Sequence, residues 1–347
     1  MAFQPHFLTT TVGSFPHRED ATLCQRLAAT LDIPTWPQLP RRTFYENMYV
    51  QYTAALPGIV VDEAHEKVFF HTNGDLTAAL ETFYTHYLED DVAAFGLTSP
   101  YAACFDPMLA ALSGAPGDWA KGQVTGPISV GLTITDQDLR ASLYNDMLAD
   151  ALVKNAAMNA RWQAQQLRAV RPNAIIFVDE PYLASFGSAY ISLEREQVIT
   201  MLNEVYDAIH QEGALAGTHC CGNTDWGMLM STSIDIINLD AYGYLDSLAL
   251  YPHELRAFLD RGGVVAWGLI PNTDTIYKVT PAGLADRLRQ GLTLIEDKAR
   301  GRGVTITAAE LSTRSLIAPA CGLGPTTVEI AERVLEVLIE TGKLLKE

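Results

Sequence analysis

The feature that most limits the fold of this chain is an alternation running nearly its whole length. Short runs rich in β-branched and aliphatic residues lie at 9–15, 122–130, 174–179, 215–221, 235–240, 264–270 and 316–320. Longer stretches of helical period separate or follow them, at 145–170, 195–212, 252–261, 281–300 and 327–345, the last with Thr326 or Thr327 as its expected N-cap. Strands joined through helices run parallel and are covered by those helices. An eighth strand is expected near 92–98, where Ala93, Ala94, Phe95, Gly96 and Leu97 are weakly strand-like. Eight such strands predict a single (β/α)8 TIM barrel, one domain over 1–347, with a helical insertion between the first two strands at about 17–91. The rival, an open doubly wound sheet, usually carries a Gly-rich phosphate turn after its first strand. The turn at 12–17 instead holds one glycine and a proline.

Charge narrows the function classes. The 24 basic and 41 acidic side chains leave a net charge of −17. A nucleic-acid backbone or an anionic membrane surface is bound through basic stripes, so neither is an expected partner. Five cysteines, odd in number and scattered, form no disulfide framework and point to a reducing cytoplasm. The first residues lack the basic and apolar regions of a secretory signal, and no apolar run reaches the length of about 18 residues that a membrane span needs.

In a barrel the chemistry gathers where strands end. The sharpest such end is 218–224 (THCCGNT). Side chains alternate along a strand, so His219 and Cys221 share a face while Cys220 takes the other. Imidazole and thiolate are good zinc ligands, and Cys321 at the last strand end is the candidate third. Ligands drawn from strand ends about a hundred positions apart suit a catalytic metal with an open position; the plainer alternative is a core histidine among small buried cysteines. The acidic pair Asp179–Glu180 places one carboxylate in the mouth, to bind an ammonium or act as a base, or else caps a neighbouring helix. Gly13 and Ser14 form either a ligand-contacting turn or a plain tight one.

These segments follow the order of a known family. The stretches 9–16 (TTTVGSFP), 122–127 (GQVTGP), 178–181 (VDEP), the His219–Cys221 pair and 321–323 (CGL) resemble the C-terminal catalytic barrel of cobalamin-independent methionine synthase, from about residue 8 to 330. The 221–224 continuation also resembles the zinc-dependent methylcobamide:coenzyme M methyltransferases, relatives of uroporphyrinogen decarboxylase. The resemblance implies a zinc ion (Zn2+) holding a thiol substrate as thiolate for attack on a methyl group, with His219, Cys221, Asp240 and Cys321 at the ligand positions. Asp240 stands where the methionine synthases have Glu. By the same carry-over Asp179 holds the amino group of homocysteine, and Ser14 with its neighbours, Gly13 among them, holds the carboxylate.

Two departures bear on the methyl donor. The folate-dependent enzyme has two barrels, and this chain has the length of one. The folate enzymes also carry a histidine after the seventh strand, where 267–272 (WGLIPN) has Leu269. Demethylating methyltetrahydrofolate requires a proton at N5, whereas a methylcorrinoid releases Co(I) without one. The expected donor is therefore methylcobalamin or a methylated corrinoid protein, with methyltetrahydrofolate, a different thiol acceptor, a metal-free decarboxylase and a non-catalytic zinc protein as alternatives. A decarboxylase of polycarboxylates wants clustered arginines, and Arg41–Arg42 is the only such hint.

Overall fold

The computed structural model describes residues 3–19, 21–188 and 191–347. Its strands are β1 (Leu8–Thr9), the antiparallel hairpin β2 (Ile59–Asp62) and β3 (Lys67–Phe70), then β4 (Trp119–Thr125), β5 (Asn173–Asp179), β6 (Leu215–Cys220), β7 (Ile236–Leu239), β8 (Val264–Ile270) and β9 (Ser315–Pro319). Seven of them form one curled, wholly parallel sheet in the order β1-β9-β8-β7-β6-β5-β4. The long helices match the sequence periods: Asp146–Val170, Arg195–Gln211, Pro252–Asp260, Pro281–Gly301 and Val328–Lys346. Their starts are chemically marked. Asn145 accepts from the Met147 and Leu148 amides, Glu194 and Gln197 form a capping box, and Thr327 accepts from Ile330.

The expected eighth strand at 92–98 is a correction. Val92–Phe95 is a 3-10 turn, with the Phe95 ring against Phe83 and the Phe95 carbonyl accepting from Asn159. What lies between edge strands β1 and β4 is the extended segment 33–38. On one side the Ile33 amide donates to Thr9 (3.0 Å) and Gln38 to Gly13 (3.0 Å); on the other Lys121 donates to Pro34 (2.8 Å) and Trp36 to Lys121 (3.3 Å). Pro34 and Pro37 have no N–H to give a ladder, so this segment reads in sequence as a loop.

The insertion is corrected with it. Helix Ala21–Thr30 leads directly into 33–38, and the excursion comes afterwards, between that segment and β4. It holds the hairpin as well as helices Thr77–Leu88 and Phe105–Gly114, so it is not purely helical. No helix among the described residues is long and apolar enough to cross a membrane.

Two apolar layers hold the sheet. The larger joins its outer face to the helices; the smaller, Ile33, Ile175, Phe177, Ile236, Val264, Ala266 and Leu316, fills the concave side. Burying each Ile, Val, Leu or Phe of that inner layer stabilises the fold by about 1.5–3 kcal/mol. Lys121 is buried there too, its Nζ donating to the Val12 carbonyl at 2.7 Å and lying 4.2 Å from the Phe177 ring centroid. Strand register then sets Thr125, Asp179, His219 and Asn238 at one level across four neighbouring strands.

Candidate metal centre

The strand ends bring together what the chain separates. A ring nitrogen of His219 and the sulfurs of Cys221 and Cys321 all lie within 4.8 Å of one another. His219 is buried, and its Nδ1 is 2.8 Å from Asn238 Oδ1. The Asn238 amide is itself oriented, because Nδ2 donates to the Ala266 carbonyl at 2.8 Å. Oδ1 must then accept, so Nδ1 carries the hydrogen and the Nε2 lone pair is free. Nε2 is buried without a hydrogen-bond partner. This is the tautomer and the supporting contact of a metal-ligating histidine.

The sulfurs are electrostatically unequal. The Cys321 side chain, and then His219, pull Cys221 well below the usual thiol range, while the same Cys221–Cys321 contact pushes Cys321 up. For His219, burial disfavours the charged form, but Cys221 and Asp179 outweigh it and shift the ring upward. On a metal-ligating histidine the metal takes the place of that proton. Cys220 points to the outer face and is fully buried in the core.

The expected fourth ligand, Asp240, stands outside the three-residue group. Half-buried at the end of β7, it caps the short helix Ala241–Tyr244, with Oδ1 accepting from the Gly243 amide at 2.8 Å.

The two acidic neighbours are placed differently. Asp179 lines the cavity and is 7% exposed, with Oδ1 buried and unpartnered. Burial pushes it up to about 6, with Lys121 and His219 pulling the other way. Glu180 turns away and accepts from the Ile128 amide (3.0 Å), the Ser129 amide (2.8 Å) and the Ser129 hydroxyl (2.6 Å), at the start of helix Pro127–Thr133. Gly126 is obligatory there, because a Cβ would sit 2.1 Å from Glu180 Oε1.

Ser14 lines the cavity and ties down the Cys321 loop: its Oγ accepts from Gly324 (3.2 Å) and its carbonyl from Leu323 (2.8 Å). Gly13 is not on the wall. It is buried, and a Cβ on it would lie 2.7 Å from Gln38 Oε1 and 2.8 Å from Gln123 Cδ, so close packing explains the glycine. Leu269 is likewise buried in the core and off the cavity wall.

The cavity itself measures about 410 Å³. Beyond the expected residues, its wall includes Gln38, Met48 and Tyr49, which sequence reasoning missed, and Arg41 of the basic pair. They end or follow segment 33–38, and recognising that segment as part of the sheet would have marked its end as part of the mouth.

With a metal on His219, Asn238→Ala should lower its affinity by about 10- to 100-fold, the usual effect of losing a supporting contact to a metal-bound histidine. Competition with a chromogenic chelator measures it; unchanged affinity would remove Asn238 from this role.

No protein-family model matches the chain, and no curated protein matches it in sequence. Among solved structures, it is similar to a B12-independent methionine synthase from Shewanella sp. W3-18-1 in complex with selenomethionine, at 16% identity and a TM-score of 0.57 over 97% of each chain. At that identity the likeness is one of fold.

Proposed function

We propose that this chain is a zinc-dependent thiol methyltransferase that makes methionine from homocysteine. The methyl donor in this reading is methylcobalamin or a methylated corrinoid protein, and residues 1–347 form a single (β/α)8 barrel with 33–38 as its eighth stave. The observation that carries the reading is the convergence of His219, Cys221 and Cys321 with a buried, unpartnered Nε2. That donor set fits zinc: one imidazole with its Nδ1–H engaged and two thiols, opening on a cavity.

Bound zinc supplies a Lewis acid that keeps a thiol with a pKa near 8.5 deprotonated at neutral pH. His219, Cys221 and Cys321 would hold it, leaving a position for the substrate sulfur. Asp240 keeps its capping role. Asp179 Oδ1 accepts from the substrate ammonium, and a hydrogen bond to a charged group is worth about 1.5–3 kcal/mol. Ser14 and the loop it anchors face the substrate carboxylate. Lys121, close enough to act on Asp179 electrostatically, favours its ionised form.

Leu269 bears on the donor. It is apolar and buried where the folate enzymes resembled by this chain carry a histidine, so that position offers no proton to a departing folate nitrogen. A departing Co(I) needs none. Zinc-loaded protein with homocysteine should therefore form methionine from methylcobalamin, read by mass spectrometry. Product from methyltetrahydrofolate alone would reassign the donor; product from neither would overturn the methyl-transfer reading.

A further inference from the structure

The basic pair Arg41–Arg42 has no part in the function above, and the structure gives its members different work. Arg42 Nη1 lies 3.3 Å from Glu46 Oε1, and Glu46 Oε2 accepts from the Leu39 amide at 2.8 Å. That acid–base pair is spent on the turn from 39 to 46. Arg41 has no acidic partner among the described residues. Its Nε donates to the Gly324 carbonyl at 3.0 Å and its Nη2 to the Pro325 carbonyl at 2.8 Å. Two main-chain oxygens thus fix the guanidinium on the cavity wall, and among the described residues Nη1 makes no hydrogen bond.

We propose that Arg41 is an anion subsite, its Nη1 edge receiving a carboxylate or phosphate of a molecule whose other end reaches the His219–Cys221–Cys321 cluster. The proposal rests on the methyl-transfer reading for the identity of that molecule. Arg41 is the only arginine or lysine on the wall among the described residues, facing a cavity whose other free charged side chain is Asp179. The chain carries −17 overall, so its surface generally repels anions, and a cation at the mouth marks where one gains by entering. The guanidinium is held before any ligand arrives, so little side-chain entropy is lost on binding. Both substrates can offer such a group: homocysteine its α-carboxylate, a corrinoid its nucleotide phosphate.

The test compares zinc-loaded wild type with Arg41→Gln and Arg41→Lys. Loss of a hydrogen bond to a charged group should raise one KM by about 10- to 100-fold in Arg41→Gln, with kcat and zinc content retained and partial recovery in Arg41→Lys. A raised KM for homocysteine, with calorimetric preference for methionine over methioninamide lost, identifies the carboxylate. A raised KM for methylcobalamin identifies the donor phosphate. Two unchanged KM values overturn the subsite, as does loss of zinc from Arg41→Gln, which would make Arg41 a brace for the Cys321 loop. If wild type transfers no methyl group, calorimetry with inorganic phosphate still decides. Binding by wild type that Arg41→Gln loses keeps the subsite, and no binding by wild type overturns it.

Discussion

Cys321→Ser, like Cys221→Ser, is expected to purify as a folded protein without its equivalent of zinc and to form no methionine. Both side chains are only partly buried at the cavity and belong to no apolar cluster, so exchanging sulfur for oxygen disturbs little packing. What is lost is one of three converging ligand atoms, and no fourth candidate stands in the group to replace it. The thiolate is the ligand form, and a serine hydroxyl does not ionise near neutral pH. Cys220→Ser is the control: it removes a core thiol from the opposite face, so zinc stays while stability falls by about 1–3 kcal/mol for the buried hydroxyl. Metal analysis per chain and a thermal melt separate the cases. Zinc retained in both ligand variants would sink the proposed centre.

The second large effect divides two adjacent carboxylates. Glu180→Ala leaves two buried amides and a buried hydroxyl without their acceptor. At about 1–3 kcal/mol for each orphaned donor, partly offset by local relaxation, a loss of about 3–5 kcal/mol is expected, visible as a lowered denaturant midpoint. Asp179→Asn should do the reverse. Oδ1 has no protein partner to lose, so folding changes little, while the charge proposed to meet the substrate ammonium is gone. An increase in homocysteine KM of about 100-fold, with the midpoint nearly unchanged, is the expected result. If instead the Asp179 variant unfolds early and the Glu180 variant fails only in binding, the two roles have been assigned the wrong way round.

Much of this is legible in the sequence. The helix at Asp146–Val170, the strand at Val264–Ile270 and the Thr327 cap are local matters of side-chain period and cap chemistry, which neighbouring residues settle among themselves. Alternation along β6 separates His219 and Cys221 from Cys220 by the same local rule. The stave at 33–38 was not legible, because its prolines erase the strand signature and its hydrogen bonds come from two distant strands.

By itself the sequence determined the parallel α/β order and the residue types able to bind a metal. Only the tertiary structure decided which of those residues meet. It brought Cys321 to Cys221, set Asn238 behind His219, turned Asp179 inward and Glu180 toward a helix end, and put Arg41 on the cavity wall. The physical reason is that such contacts are fixed by sheet register and by which backbone groups still need a partner, and both are properties of the folded chain rather than of any local stretch.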